Sequence, residues 1–230
     1  MNWSLLPTIS APMPLQMALD ELLFELQKKE PQAPCLRFYF SSEPWISVGC
    51  SFREPADLSK SDLILKNPRA PICHRITGGG CVLHGGDLIF SLTARMQSDP
   101  ERLGSVRTSY AKIHESVRIG LQSCGLDPKF YSNSQELPKG NDCFDFPVES
   151  DLAWNGKKIA GGAQKRSEGV LLHHESILTP PGIHREDMTR EIRKAAEQVF
   201  GISIRNADLD PGMYFQAETF KKTAVPISVN

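Results

Sequence analysis

Residues 16–28 place Met17, Leu19, Leu22, Leu23 and Leu26 at helix-like spacings behind a proline-containing approach, which predicts an amphipathic helix. Alternating aromatic and branched positions in residues 36–40 and 45–49 flank Ser41-Ser42-Glu43-Pro44, and predict two strands joined as a hairpin. Between Pro71 and Arg95 two glycine clusters separate short branched runs, as in strands linked by tight turns, with residues 88–94 a buried strand. Tyr110, Ile113, Val117, Ile119 and Leu121 predict a second helix over 108–124 that covers the sheet, with Gly125 as its C-terminal cap. Residues 129–151 lack periodicity and are rich in Ser, Asn, Asp and Pro, as in a long connection that contributes to a site. Asn155-Gly156 is the dipeptide of a type I′ turn, here joining residues 152–154 to 157–166, and a further apolar stretch and a helix over 188–201 follow. With no repeat, low-complexity segment or linker, the pattern predicts one α+β domain over residues 1–230, its mixed or antiparallel sheet covered by helices.

Composition narrows the function classes. Of 230 residues, 40% are apolar and 23% charged, and 26 basic side chains balance 27 acidic ones to a net charge of −1. A chain so balanced has no electrostatic footprint for nucleic acid or anionic lipid. No apolar run approaches the roughly 20 residues that span a bilayer, and the N-terminus lacks the basic, apolar and small-residue order of a secretory signal, so the expected location is cytoplasmic. The six cysteines form no CxxC pair or His/Cys cluster, against both a structural zinc site and a disulfide framework.

Four features carry candidate chemistry. Arg75 runs into Gly78-Gly79-Gly80, where three consecutive glycines allow a backbone to approach a ligand and the arginine can pair with a phosphate or carboxylate; a bulged hairpin needs the same residues. The run lacks the spacing of a P-loop or a dinucleotide fingerprint. His84, His173 and His174 lie in apolar or glycine-rich context, suited to a base, a donor to a carbonyl or a structural hydrogen bond, and with no carboxylate or cysteine at ligand spacing they predict no metal site. Cys143 lies in a polar loop and is the cysteine least explained by core packing, hence the candidate nucleophile. Asp142 and Asp145 oppose a thiolate unless they point away, so a cation has to approach in space. Lys158 is such a cation or a solvated strand residue, and Lys157 faces the opposite way along the same strand.

Together, Met17-Ala18-Leu19-Asp20-Glu21, residues 36–39, residues 75–84, residues 156–164 and residues 173–178 follow one another as in the lipoate-protein ligase and octanoyltransferase family, which the chain resembles over nearly its whole length. That resemblance implies the catalytic-domain fold shared with biotin ligases. It implies that Arg75, Gly78, Gly79, Gly80, Cys81, Val82, Leu83 and His84, with Gly161, Gly162 and His174, line the acyl tunnel, and that Lys158 contacts the acyl carbonyl. Cys143-Phe144-Asp145 stands where the ligase-like octanoyltransferases carry their nucleophile, activated by the lysine. The chain departs from the family at His74, usually arginine; at Gly85, usually aspartate; at Gly162, usually serine; and at His173-His174-Glu175, usually Gln-His-Gly.

The resemblance implies a two-step transfer of an octanoyl or lipoyl group from acyl carrier protein, through a Cys143 thioester, to a lysine of a lipoyl-domain protein such as the glycine cleavage H protein, with no cofactor. It also implies alternatives. One is an ATP- and magnesium-dependent lipoate-protein ligase, to which the glycine triplet belongs more often. The other is a non-catalytic carrier-binding subunit of a two-part ligase, to which the absence of a predicted C-terminal accessory domain would be suited.

Overall fold

The computed structural model of the protein describes residues 2–52, 55–59, 61–132, 142–145, 148 and 150–221. In chain order the elements are β1 (Asn2–Ala11), α1 (Met13–Lys29), β2 (Cys35–Ser41), β3 (Trp45–Val48), α2 (Pro55–Leu58), α3 (Asp62–Lys66), β4 (Ile72–His74), β5 (Val82–His84), β6 (Asp87–Arg95), α4 (Pro100–Leu103), α5 (Val106–Ser123), β7 (Lys129–Phe130), β8 (Leu152–Trp154), β9 (Lys157–Ser167), β10 (Val170–Leu178), α6 (Arg185–Phe200), β11 (Ser203–Asn206) and α7 (Pro211–Ala217). Among them no helix is long and apolar enough to cross a membrane.

Eight strands form one mixed sheet in the order β11-β1-β2-β6-β10-β9-β8-β7, and β4-β3-β5 form a second, small sheet. β1 pairs in parallel with β11 and β2, and from β2 to β7 every neighbour is antiparallel. Period-2 alternation along β10 sends its side chains to two different layers. Leu171 and Ile177 join the main core under α5 and α6, whereas Val170 and Leu172 pack with Phe24 of α1. His173 and Glu175 therefore share the α5 face, and His174 and Ser176 the α1 face. Where α5 crosses α6 the contact is close: a Cβ on Gly120 would lie 2.6 Å from the Ile192 backbone.

The three long helices α1, α5 and α6 form as their patterns predict, with α5 entered through Ser105, whose Oγ accepts from Thr108 N. Gly125 and Gly201 take positive φ of 85° and 62° after α5 and α6, the left-handed conformation that suits glycine at a helix end. The Asn155-Gly156 turn has φ of 50° and 74°, as a type I′ connection requires.

The predicted hairpin of residues 36–49 does not form. β2 lies inside the large sheet between β1 and β6, while β3 pairs with β4 and β5 in the small one. Both faces of β2 are buried, Phe38 in the main core and Arg37 and Tyr39 toward α1, and both its edges are paired, with β1 and β6, which leaves no edge for β3. The Ser41 hydroxyl donates to the Glu43 carbonyl and turns the chain out of the sheet. β1 and β11 have no sequence signature of comparable strength. Pro7 interrupts the β1 pattern, where the pairing with β2 shifts register between Leu6 and Ile9, and β11 buries only Ile204.

Candidate active site

A narrow cavity lies between the two sheets. Met17, Val82, Ile89 and Ala163 supply an apolar wall, and Arg75, His84, Cys143, Gly161, Gly162 and His174 also border it. An apolar recess with a few convergent polar groups is the usual form of a small-molecule site.

At its rim Cys143 sits in a turn fastened from two sides. Its backbone N–H donates to the Cys81 carbonyl at 3.0 Å. The preceding Asp142 carboxylate turns away from the thiol and caps α3, accepting from Ser61 Oγ at 2.5 Å and Leu63 N at 2.9 Å. Asp145 is exposed. Neither acid thus occupies the place beside the sulfur, which belongs to Lys158. The Lys158 ammonium lies 3.3 Å from Cys143 Sγ, 2.9 Å from the Cys143 carbonyl and 2.7 Å from Asp151 Oδ2. Lys157 is exposed and Lys158 buried, as alternation along β9 requires. Burial acts to discharge Lys158, but Cys143 and Asp151 outweigh it and raise its pKa, so the side chain is a cation. A cation donating to sulfur favours the thiolate, the nucleophilic form.

Gly161 makes room for this arrangement. A Cβ there would lie 2.2 Å from Lys158 Cε and 2.4 Å from its Nζ. Of the other cysteines, Cys35 and Cys73 are buried and pushed up to about 12 by burial, and buried Cys81 is raised for the same reason.

Arg75 shapes the opposite wall. Its guanidinium donates to the Ser47 carbonyl and hydroxyl, each at 3.0 Å, and to the carbonyls of Gly78 at 2.8 Å and Gly80 at 2.7 Å. The glycine triplet thus wraps the arginine and does not itself border the cavity. Gly49 permits this, since a Cβ on it would lie 2.1 Å from the Gly79 carbonyl oxygen. Val82 and His84 point to the cavity, whereas Cys81 and Leu83 join the apolar cluster of the small sheet. The sequence resemblance does not separate these two sets; strand alternation does.

His84 is held by Asp87 Oδ2 at 2.7 Å and Ser47 Oγ at 2.8 Å. His174 contacts Thr77 Oγ1 at 3.0 Å and lies 3.1 Å from Asp20 Oδ2. Asp20 in turn accepts from Tyr39 at 2.8 Å and Ser91 at 2.6 Å and pairs with buried Arg37. Burial acts to raise the Asp20 carboxyl, but Arg37, His174 and Ser91 together hold it at about 2. Met17, Tyr39, Ser47, Ile89 and Ala163 border the cavity without standing out in the sequence as chemistry-bearing residues, since their types are those of ordinary core positions.

His173 points the other way, toward α5, where the fold brings it together with a carboxylate and a second histidine that no ligand spacing in the sequence signals. Glu175 Oε2 lies 2.8 Å from His173 Nε2 and 3.0 Å from His114 Nε2, a group whose ligand-type atoms all fall within 4.8 Å. Glu175 is two residues from His173 in one strand, and His114 comes from a helix 61 residues earlier, so the grouping has no spacing motif. Burial acts to raise Glu175, but the two histidines hold it at about 2. Gly162 leaves the space: a Cβ there would lie 2.4 Å from His173 Cε1 and 2.5 Å from Glu175 Oε2.

Known proteins share the sequence pattern and the fold. An octanoyltransferase LipM of Exiguobacterium sp. is 36% identical over 183 residues, 76% of this chain and 65% of that protein. A LipM of Moorella thermoacetica is 30% identical over 203 residues, 86% of this chain and 72% of that protein. The chain thus spans about two thirds of the length of these curated relatives. In three dimensions it resembles the bi-partite lipoate protein ligase of Thermoplasma acidophilum, studied with its E2 lipoyl domain, with a TM-score of 0.67, 19% identity and coverage of 95% of this chain and 91% of that one. That likeness concerns the fold. Residues 12–199, which hold the whole cavity wall, match the lipoyl protein ligase A/B catalytic domain, and the chain belongs to that family.

Proposed function

We propose that this chain is an octanoyltransferase that acts through a cysteine thioester. The observation that carries the reading is the Lys158 ammonium 3.3 Å from Cys143 Sγ at the rim of an apolar cavity. In the first step the Cys143 thiolate attacks the thioester carbonyl of an octanoyl group on acyl carrier protein. The carbonyl π electrons pass to oxygen, return, and expel the carrier thiolate, which takes up a proton. In the second step the neutral amine of an acceptor lysine attacks the Cys143 thioester, loses a proton as the amide forms, and releases the cysteine thiolate. The Lys158 ammonium is placed to meet negative charge on oxygen in both steps, and backbone amides of the Gly161-Gly162 segment are the further candidate donors; such stabilisation is the largest contribution in most acyl transfers. Met17, Val82 and Ile89 would cover the alkyl chain. The acceptor is a lipoyl-domain protein, of which the glycine cleavage H protein is one kind; the relatives named octanoyltransferase and the structural relative studied with a lipoyl domain support this.

Intact-mass spectrometry after incubation with octanoyl-acyl carrier protein, without ATP, tests the route. The expected result is a gain of one octanoyl group, removed by hydroxylamine and absent in Cys143→Ser. No adduct, but octanoylation of a lipoyl domain only with free octanoate, ATP and magnesium, would replace the transferase with a ligase. Inactivity in both assays would favour a carrier-binding subunit.

A further inference from the structure

On the sheet face opposite His174, a buried chain of contacts runs from α5 back to the nucleophile. His114 has an acceptor at each ring nitrogen: Nδ1 meets the Ser150 carbonyl and Nε2 lies 3.0 Å from Glu175 Oε2. Two acceptors require two ring protons, so His114 is an imidazolium, and its pKa is raised although burial opposes this. His173 donates through Nε2 to the same carboxylate oxygen and accepts at Nδ1 from Gln164 Nε2 at 3.2 Å, which makes it neutral, with its pKa lowered by burial. The group is therefore an ion pair with one neutral second donor.

The Ser150 end faces the site. Ser150 has φ of 86°, a conformation that L residues seldom adopt, and the next residue is Asp151, which grips Lys158 at 2.7 Å. Asp151 also closes its own turn, its Oδ2 accepting from Val148 N at 2.7 Å. A residue in that backbone conformation persists only where its surroundings hold it. Here the charged donor on its carbonyl is His114.

We propose that His114 is a positioning residue for the nucleophile: by holding the Ser150 carbonyl it fixes the Ser150–Asp151 backbone, and through Asp151 it sets the Lys158 ammonium against Cys143. Glu175 is its counter-ion, and His173 orients that carboxylate. The proposal rests on the reading of Cys143 as nucleophile, and the space left at Gly162 is what admits His173 and Glu175 to the group.

The test compares two variants that each keep half of the imidazole's contacts. His114→Asn retains a donor where Nδ1 stands, toward Ser150. His114→Gln retains one where Nε2 stands, toward Glu175. The rate of Cys143 alkylation by iodoacetamide, resolved at the peptide level, and the single-turnover rate of octanoyl transfer onto Cys143 are read beside the thermal midpoint. Both rates should fall roughly tenfold or more in His114→Gln, because a misplaced group near the chemistry costs that order. They should stay within about twofold of wild type in His114→Asn, the smaller loss expected where the guiding contact survives. Equal rates in all three proteins, or losses that follow the thermal midpoint alone, would overturn the proposal. If neither variant folds, ¹⁵N NMR of the wild type decides: two protonated ring nitrogens on His114 at neutral pH are expected, and a neutral His114 overturns it. Stoichiometric Zn²⁺ uptake by wild type that His173→Gln abolishes would make the cluster a metal site and overturn the hydrogen-bonded reading. Transfer surviving in Cys143→Ser would refute the thioester route instead, and would leave the alkylation result standing.

Discussion

Lys158 Nζ reaches Cys143 twice, at 3.3 Å from the sulfur and 2.9 Å from the carbonyl oxygen, so one ammonium both holds the turn and faces the thiol proposed as nucleophile. Lys158→Met removes both contacts and leaves Asp151 buried without its cation. Octanoyl transfer onto Cys143 should fall by about 10²- to 10³-fold, the usual effect of losing a donor to a developing oxyanion. Stopped-flow or quench-flow single turnovers measure this. A variant within threefold of wild type would remove Lys158 from the site.

Gly162 and Glu175 are coupled through space. Gly162→Ser should cost about 1–3 kcal/mol, because its Cβ falls 2.4–2.6 Å from His173 and Glu175 and forces them to move. In Glu175→Gly the contact with the carboxylate is gone and His173, no longer held by it, is left free to move, so the double variant should be less destabilised than the sum, with a coupling of about 0.5 kcal/mol or more. Urea denaturation of the four proteins gives the cycle. Simple additivity would mean that the two positions do not compete for the same space.

Acid should unfold the protein through its buried carboxylates. Asp20 is depressed from 3.8 to about 2 and Glu175 from 4.5 to about 2, each binding its proton more weakly folded than unfolded. Their stabilisation is complete above the unfolded values and is lost as pH falls toward 2, at about 2–3 kcal/mol each. Asp20→Asn should lose roughly 3–5 kcal/mol at neutral pH, because Arg37 is left buried without its anion. Its stability should then fall less steeply than that of wild type below pH 4. Thermal midpoints across pH check both statements, and parallel acid limbs would contradict the second.

Asp142 anchors the Cys143 turn to α3. Asp142→Ala leaves the Ser61 hydroxyl and the Leu63 N–H without their acceptor and should cost about 1–3 kcal/mol, with slower acylation of Cys143. Asp142→Asn keeps one carbonyl oxygen and should cost less. Equal stability of both variants and wild type would show that the cap contributes nothing.

By itself the sequence determined the elements that carry their own signals. The apolar spacing of α1 and α5, glycine after α5 and α6, and the Asn155-Gly156 turn are local, because their energetics depend on residues a few positions apart. The order of the landmarks likewise sufficed to place the chain in its family and to nominate Cys143 and Lys158. Tertiary structure decided the rest. Whether residues 36–49 form a hairpin depended on which strands pair with the two edges of β2, and distant β1 and β6 take both. That Val82 and His84 line the cavity while Cys81 and Leu83 do not was set by which face the small sheet turns inward. The pairing of His114 with Glu175 joins a helix to a strand 61 residues away, and the turning of Asp142 toward Ser61 spans 81. Contacts at such separations leave no periodicity or spacing in the chain, since only the folded backbone brings their partners within reach of a hydrogen bond.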